Sequence, residues 1–277
     1  MKEIKYSLIV SDFDGTFVKA DGSVGEKTKT EMNRYIQNGG IFAISTGRKP
    51  IGILSRARQL GLKGAVSCYQ GAVIMDIQTE EVLRGYRLDN ELAVQVCEKM
   101  EEMNVHTHVY GLTEYYSNKE GKLEDFYMSL VGGKYILKSC VTEFLEETKL
   151  SPYKLMALTE KSDLDWVYNE LTKLFGDKCY IATSTSEGCS FVEICDIQCN
   201  KGTTMEFLAE YYNVPLSKTI GVGDQRNDIP MIEKAGLGVA VGNSHDQLKE
   251  KADITLLQTN EEDAVGFMIE QYAYSGN

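Results

Sequence analysis

The 277-residue sequence lacks several features that would place it in a special class of protein. It has no apolar run that approaches the roughly 18 residues of a membrane-spanning helix. Its first residues, Met-Lys-Glu-Ile-Lys, lead straight into a strand without the apolar core of a signal peptide. The seven cysteines show no CxxC or zinc-type spacing, a pattern typical of reduced thiols. These absences predict a cytoplasmic protein that does not enter a membrane.

Positive charge is also scarce. The chain has 29 lysine and arginine residues against 41 aspartate and glutamate residues, which gives a formal net charge of −12. Since there is no net basic field to attract a polyphosphate, a nucleic-acid partner is not expected. A small anionic substrate would need local positive potential from a metal, from a few lysine or arginine side chains, or from helix N-termini. No obligate protein partner is evident.

Both ends of the chain alternate strand-like and helix-like segments. In the first third, apolar strands and amphipathic helices follow one another in the order 6–11, 28–36, 41–44, 50–60 and 65–67. The last quarter, from Lys201 onward, repeats this style. The β-α-β-α-β order predicts a parallel sheet with helices on its faces.

The middle of the chain has a different pattern. Two helical stripes, over residues 92–103 and 164–174, accompany period-2 segments typical of half-buried strands. The predicted fold class is therefore α/β, with an α+β domain inserted into the sheet domain. We predict a core of residues 1–85 and 188–277 and an inserted α+β cap domain of residues 86–187.

Polar residues collect where the predicted strands end or the helices begin. Four stretches show this: Asp12-Phe-Asp14-Gly-Thr16, Ser45-Thr46-Gly47-Arg48, Lys201-Gly202 and Gly223-Asp224-Gln-Arg-Asn227-Asp228. In an open α/β sheet the ligand crevice lies outside the carboxyl ends of the strands, so residues far apart in sequence can meet there. Each stretch alone has an ordinary explanation, such as a turn or a helix cap. Their joint occurrence in this order favours a functional site.

The first stretch carries two acids to the tip of a strand. Side chains at i and i+2 of an extended segment point the same way, so Asp12 and Asp14 converge if Asp12 keeps strand geometry. At about 4 Å two like charges repel by roughly 1 kcal/mol even in water, a cost that a cation would offset. Mg²⁺ prefers oxygen ligands and bridges carboxylates to phosphate oxygens. The predicted ligands are Asp12, Asp14 through its backbone carbonyl, Asp224, and Asp228 directly or through water.

The same residues suit phosphoryl transfer. A carboxylate beside Mg²⁺ can attack phosphorus to form an aspartyl-phosphate, and we predict this role for Asp12. Asp14, kept partly protonated, would act as the general acid and base. Thr46 would hydrogen-bond a phosphoryl oxygen, helped by backbone N–H groups of the turn through Gly47 and Arg48. Lys201 would place a positive charge on the same oxygens.

The full set of motifs resembles the haloacid dehalogenase-like superfamily of phosphohydrolases, in particular its Cof-type branch with a large α+β cap. The resemblance covers residues 6–85 and 190–270, whereas the middle matches only in size and position. It implies a Rossmann-like core, dependence on Mg²⁺, an aspartyl-phosphate on Asp12, and support of the metal and phosphate by Asn227. One departure is Gln70-Gly71-Ala72, where this branch usually has Asn-Gly-Ala. The longer side chain could shift a contact to the substrate or the cap.

The predicted function is a Mg²⁺-dependent phosphatase acting on small phosphomonoesters, such as sugar phosphates or phosphorylated cofactors, through an aspartyl-phosphate. A phosphotransferase such as a sugar-phosphate mutase would share that intermediate and stays open. A third alternative is a non-catalytic protein that binds a phosphorylated ligand, although every polar catalytic position is intact.

The inserted domain is expected to exclude water from the strand tips and to select the leaving group. Candidate cleft residues are Tyr115, Tyr116, Glu187 and Cys189, although ordinary packing or surface exposure explains each of them as well. His106-x-His108 places two imidazoles on one side of a strand. No third metal ligand is evident near this pair, so no metal site is predicted there.

Overall fold

The computed structural model describes residues 3–132, 134–186 and 188–276. The chain divides into two compact units. The first, the core unit, consists of Met1–Gly47, Leu54–Leu83 and Asn200–Asn277. The second, the cap unit, consists of Arg48–Ile53 and Arg84–Cys199. Within the described residues, no helix is both long enough and apolar enough to cross a membrane.

The elements follow one another in the alternating order that the sequence predicts for both ends of the chain. The strands are β1 (Leu8–Ser11), β2 (Ile41–Ser45), β3 (Ala65–Cys68), β4 (Val73–Asp76), β5 (Val82–Gly85), β6 (His106–Tyr110), β7 (Tyr115–Ser117), β8 (Ile136–Leu137), β9 (Lys154–Thr159), β10 (Cys179–Thr185), β11 (Ser190–Asp196), β12 (Thr219–Gly223), β13 (Leu237–Ala240) and β14 (Ile254–Thr255). The helices are α1 (Glu26–Gln37), α2 (Pro50–Gln59), α3 (Asn90–Glu102), α4 (Lys122–Val131), α5 (Val141–Thr148), α6 (Leu164–Phe175), α7 (Lys201–Tyr211), α8 (Ile229–Lys234), α9 (Asp246–Lys249) and α10 (Ala264–Tyr272).

An eight-stranded sheet with the order β14-β13-β12-β1-β2-β3-β4-β5 forms the centre of the core unit. Strands β14 to β3 in this order run parallel to their neighbours, and β4 runs antiparallel to β3. All four residues of β1 are buried, as expected of a central strand covered on both faces. Leu8 and Val10 pack against Met205 and Leu208 of α7 and Met231 of α8. The predicted parallel-sheet core is confirmed.

A second sheet, with the order β10-β11-β9-β6-β7-β8, forms the cap unit. Its pairs are antiparallel except for β7 with β8. One face is apolar: Val109, Leu155, Val192 and Ile194 belong to a buried cluster with residues of α3, α5 and α6. The opposite face carries the alternate residues of β6, which are His106, His108 and Tyr110, and all three are polar. The α/β fold class with an inserted α+β cap is confirmed.

The cap unit differs from its predicted outline in three respects. It includes Arg48–Ile53, which were predicted to belong to the core. Its C-terminal boundary falls at Cys199 rather than at residue 187, because β11 pairs with β9 and β10 and therefore belongs to the second sheet. Helices α4 and α5 were not predicted. The eight residues of α5 are too few for a clear helical period, whereas Leu123, Phe126 and Tyr127 of α4 do have helical spacing.

Candidate active site

Three of the predicted site residues directly follow strands that are neighbours in the core sheet. Asp12 follows β1, Thr46 follows β2, and Asp224 follows β12. Because these strands run parallel side by side, the residues after them lie at the same carboxyl edge of the sheet. Lys201 is the first residue of α7, and the capping box of its N-cap residue Asn200 fixes where that helix starts.

Three carboxylates and one ammonium form a buried cluster at this edge. Asp12, Asp224 and Asp228 each offer an oxygen atom, and these oxygens all lie within 4.8 Å of one another. Lys201 Nζ donates a hydrogen bond to Asp12 Oδ1 and another, of 2.5 Å, to Asp228 Oδ1. The Lys201 side chain is 1% exposed, so its charge acts on the carboxylates of the cluster and is not screened by water.

The pKa values of the cluster reflect crowding of like charges away from water. Burial raises the pKa of Asp12 well above its usual value; Lys201 opposes this, and Asp228 and Asp224 add to it. Burial and then Asp228 raise the pKa of Asp224. Burial alone would lower the pKa of Lys201, but Asp12 and Asp228 raise it well above its ordinary value. One ammonium thus faces three carboxylates, and the cluster has an excess of negative charge.

Hydrogen bonds fix the orientation of two of these carboxylates. Thr16 Oγ1 donates to Asp224 Oδ1 (2.8 Å), and Gln225 Nε2 donates to Asp224 Oδ2 (2.9 Å). Asp228 Oδ2 accepts from the backbone amides of Asp224 (3.0 Å) and Gln225 (2.9 Å). The second oxygen of Asp228 is the one that Lys201 contacts. The two aspartates are therefore held rigidly relative to β12.

Two glycines permit this close packing. Gly15 has a φ of +76°, and a Cβ atom there would lie 2.6 Å from Asp224 Oδ2. A Cβ atom at Gly223 would lie 2.4 Å from Asp228 Cγ. No side chain fits at either position without displacing a carboxylate of the cluster.

The cluster suits a hard divalent cation. Its donors are carboxylate oxygens alone, which is the ligand type that Mg²⁺ prefers. Its excess negative charge and raised aspartate pKa values are what a bound dication would relieve. Asp12, Asp224 and Asp228 are therefore the side chains that fit the predicted Mg²⁺.

A turn positions Asp14, whereas the sequence analysis argued its position from strand geometry. Strand β1 ends at Ser11, and the Asp12 amide still donates to the Val222 carbonyl of β12 (2.9 Å). The backbone amides of Phe17 and Val18 both donate to the Phe13 carbonyl (3.0 Å each), so the chain turns from Phe13 onward. Asp14 is exposed. The i and i+2 alternation of a strand therefore does not hold for this segment, and a turn positions Asp14.

The predicted phosphate-binding turn begins within the core unit. Thr46 is buried; its amide donates to the Ser67 carbonyl (3.0 Å), and its carbonyl accepts from the Gln70 amide (3.1 Å). Gly47 is partly buried, whereas Arg48 is exposed and belongs to the cap unit. The turn is thus fixed at its start by main-chain bonds to β3 and to the segment that follows it.

Gln70, which sequence reasoning left out of the site, contacts one of the predicted residues. Gln70 Oε1 accepts a hydrogen bond from Asn227 Nδ2 (2.9 Å). Tyr69, Gln70 and Gly71 have successive φ values of 50°, 58° and 101°, and the Gln-Gly pair was the signal of such a turn. Asn227 Oδ1 and Ser45 Oγ are buried without a hydrogen-bond partner in the described part of the chain. These two oxygens are available to a ligand.

The predicted cleft residues of the cap unit have packing partners of their own. Tyr115 is buried, and the ring of Tyr116 packs on that of Phe144 with centroids 4.3 Å apart. Cys189 is also buried. Glu187 lies outside the described residues. Packing therefore accounts for Tyr115, Tyr116 and Cys189 without a substrate.

Comparison with known proteins gives consistent matches over nearly the whole chain. The family model described as haloacid dehalogenase-like hydrolase matches residues 9–269. The chain is 27% identical over 274 residues to the 5-amino-6-(5-phospho-D-ribitylamino)uracil phosphatase YitU of Bacillus subtilis, covering 98% of each chain. It is 26% identical over 289 residues to the phosphatase YwpJ of the same organism, covering 95% of this chain and 98% of that one. A crystal structure of a haloacid dehalogenase-like hydrolase from Bacteroides thetaiotaomicron aligns with a TM-score of 0.81 and 26% identity, covering 96% of this chain and 99% of that one.

Proposed function

This chain belongs to the haloacid dehalogenase-like hydrolases, among which relatives are named phosphatases, and from that membership we propose that it hydrolyses small phosphomonoesters with the help of Mg²⁺. The predicted family and enzyme class are confirmed by these matches. The observation that carries the finer proposal is the buried cluster of Asp12, Asp224 and Asp228 with Lys201 at the carboxyl edge of the sheet.

The reaction proceeds in two displacements at phosphorus. A carboxylate oxygen of Asp12 attacks, so that an O–P bond to Asp12 forms while the bond from phosphorus to the leaving oxygen breaks. Asp14 gives its proton to that leaving oxygen. Asp14, now ionised, then takes a proton from water, whose oxygen attacks the same phosphorus. This second step releases inorganic phosphate and restores the Asp12 carboxylate.

The other residues hold the phosphoryl group and its charge. Mg²⁺, held by Asp12, Asp224, the Asp14 carbonyl and Asp228 directly or through water, would neutralise the phosphate oxygens when bound. Lys201 fixes the Asp12 carboxylate and adds positive charge.

A second set of groups binds and orients the phosphate. Thr46 and the backbone N–H groups of Gly47 and Arg48 would donate to the phosphoryl oxygens. Asn227 orients the phosphate through its amide, which Gln70 holds.

The proposed substrate is a small phosphorylated metabolite, such as a sugar phosphate or a phosphorylated cofactor. The relative YitU is named for a phosphorylated ribitylaminouracil, which is a compound of this size and class. The cysteines of the described residues are free, which supports the reducing cytoplasm as the proposed location. A net charge of −12 disfavours nucleic acid as a partner.

Phosphate release tests this proposal. We expect the protein to release inorganic phosphate from a generic aryl phosphate and from members of a panel of phosphorylated metabolites. EDTA should abolish the activity, and added Mg²⁺ should restore it. Asp12→Asn should lower kcat by at least about 10³-fold because the nucleophile is lost. Asp246→Asn, an exposed aspartate at the start of α9, is the matched control and should keep full activity.

Three results would contradict the proposal in different ways. Turnover retained in Asp12→Asn would remove Asp12 as the nucleophile. Phosphate that appears only on an added acceptor sugar would identify a phosphotransferase instead. Saturable binding of a phosphorylated metabolite without release across the whole panel would identify a binding protein.

A further inference from the structure

Two histidines and a glutamate meet inside the cap unit. His106 and His108 occupy alternate positions of β6 and therefore face the same side of its sheet. Glu124 lies in the first turn of α4. Nε2 of His106 is 2.9 Å from Glu124 Oε2, and Nε2 of His108 is 2.6 Å from the same atom. The side chains are 6%, 0% and 0% exposed, so three potential metal ligands converge away from water.

The negative charge of Glu124 has no permanently charged partner among the described residues. Its ion-pair contacts are with the two imidazoles, which carry charge only when protonated. The buried ammonium in the same sheet, Lys154, pairs instead with Glu193 (2.6 Å). A lone buried carboxylate is costly unless a cation or a full set of hydrogen bonds compensates it.

One tautomer of His108 directs an Nε2 lone pair at Glu124. In the tautomer with its proton on Nδ1, His108 donates to the Tyr110 hydroxyl (3.0 Å), which in turn donates to the Tyr127 hydroxyl (2.7 Å). A neutral imidazole with its proton on Nδ1 presents a lone pair at Nε2. That lone pair faces the acceptor Glu124 Oε2, an arrangement that calls for a cation between the two atoms. A metal-ligating histidine usually has such a partner on its other nitrogen.

Two further groups complete the surroundings of this point. Ser117 Oγ is 2.9 Å from His106 Nε2 and donates to Glu124 Oε2 (2.8 Å). The Tyr115 hydroxyl donates to Glu124 Oε1 (3.2 Å), which fixes the second oxygen of the carboxylate. Ser117 is thus a fourth polar side chain at the site, and Tyr115 acts as an outer support.

A cavity borders one member of the cluster, His106. Its volume is about 320 Å³, and His106 forms part of its wall together with the residues that begin α4. Charged side chains also line it, among them Lys119, Glu160 and Asp163, so the cavity suits a hydrated ion. An entry path is one of the requirements for a metal site in a folded protein.

We propose that His106, His108 and Glu124 bind a divalent transition metal of the Zn²⁺ type, with Ser117 Oγ or water as the fourth ligand. Imidazole nitrogens favour Zn²⁺ over Mg²⁺, and two histidines with one glutamate form a known zinc ligand set. Bonds of about 2.0–2.1 Å at tetrahedral angles place ligand atoms about 3.3 Å apart. The present separations of 2.6 and 2.9 Å must therefore widen by roughly 0.5 Å, within reach of small side-chain rotations. The metal would tie α4 to β6.

A Zn²⁺ titration tests the site. The full chain is stripped with a chelator, dialysed and supplied with excess Mg²⁺ to saturate the carboxylate cluster of the core unit. Zn²⁺ is then titrated in competition with a chromogenic chelator, and Co²⁺ absorption reports the coordination geometry. We expect one Zn²⁺ per chain and a higher Tm in its presence. Glu124→Gln and His108→Ala should each weaken binding by more than about 100-fold, the upper end of what losing an outer-shell partner costs.

Two further variants distinguish the loss of a metal ligand from an unspecific effect of substitution on Zn²⁺ binding. Tyr110→Phe removes the partner of His108 Nδ1, together with the hydrogen bond to Tyr127, but leaves every proposed ligand in place, and it should weaken Zn²⁺ binding by about 10-fold. His245→Ala removes the third histidine of the chain, which caps α9 in the core unit, and should leave binding unchanged.

The proposal is overturned if the wild-type protein binds Zn²⁺ no more tightly than Glu124→Gln does. It is also overturned if binding survives in Glu124→Gln and His108→Ala but is lost in Asp12→Asn, because the metal would then sit at the carboxylate cluster. Should His108→Ala not fold, the nearly isosteric Glu124→Gln still supplies the comparison. Because the readout is Zn²⁺ binding, the result stands whether or not the phosphatase proposal holds.

Discussion

The two units each contain a buried cluster of ionisable side chains, and they compensate its charge in different ways. In the core unit, Lys201 lies against Asp12 and Asp228, so a permanent positive charge offsets part of the negative charge. In the cap unit, Glu124 contacts imidazoles and hydroxyls, which carry no permanent charge. The first arrangement leaves an excess of negative charge that a hard dication would neutralise, and that dication would supply the positive potential that an anionic substrate needs. The second leaves nitrogen lone pairs for a softer cation.

The potential metal-ligand atoms of the two clusters differ as well. The core cluster, formed by Asp12, Asp224 and Asp228, offers carboxylate oxygens alone and suits Mg²⁺. The cap cluster, formed by His106, His108 and Glu124, offers two nitrogens and one oxygen and suits Zn²⁺. A buried carboxylate by itself therefore does not decide which ion a site takes. The neighbouring side chains decide it.

Among the variants that test this comparison, Lys201→Met should have the largest effect on stability and activity. Without the ammonium, Asp12 and Asp228 are left buried as unpaired charges, which should cost roughly 3–5 kcal/mol of stability. Loss of positive charge at the phosphoryl oxygens should also lower kcat by about 10²–10³-fold. Denaturant unfolding and steady-state kinetics measure the two effects, and added Mg²⁺ should restore part of the stability.

Lys234→Met is the matched control for this experiment. Lys234 pairs with Glu206, but both side chains are about half exposed, so the stability change should stay below about 1 kcal/mol. A Lys201→Met variant as stable and as active as Lys234→Met would mean that the ammonium is not what compensates the core cluster.

Replacing Lys154 by methionine should have the next largest effect, because Lys154 forms a buried ion pair in the cap unit. Lys154 Nζ lies 2.6 Å from Glu193 Oε1, and both side chains are almost fully buried. Removing the ammonium alone should destabilise the cap unit by roughly 3–5 kcal/mol because Glu193 is left unpaired. Adding Glu193→Gln should recover most of that loss. If denaturant unfolding shows the single and double variants to be equally unstable, the cost comes from packing rather than from charge.

The sequence predicted the part of the candidate active site that depends on strand ends alone. Asp12, Thr46 and Asp224 each follow an apolar strand, and parallel neighbours align their carboxyl ends, so local pattern and topology suffice. The position of Asp14 was argued from strand alternation, but a turn begins at Phe13. The Asp14-Gly15 pair is a turn signal, and Gly15 has a φ of +76°, so the residue pattern did indicate this turn.

The cap cluster shows where sequence reasoning ends. His106 and His108 were recognised as a pair on one side of a strand, but their partner Glu124 is 16 residues beyond His108. It reaches them only because α4, which was not predicted, packs on the polar face of the second sheet. Periodicity identifies faces of elements and does not say which faces meet.

Changing Gln70 to asparagine should have the smallest effect and should show how finely the core site is adjusted. Asparagine adopts the left-handed conformation of this position more readily than glutamine does, but its shorter side chain gives up the 2.9 Å hydrogen bond from Asn227 Nδ2. These effects oppose each other, so stability should change by less than about 1 kcal/mol. Gln70→Ala loses the hydrogen bond without that backbone gain and should be the less stable variant. Because Asn227 is proposed to orient the phosphate, both should raise KM more than they lower kcat, and kcat/KM should fall by less than about 10-fold. A kcat loss as large as that of Lys201→Met would instead place Gln70 among the groups that act on the reacting phosphoryl group.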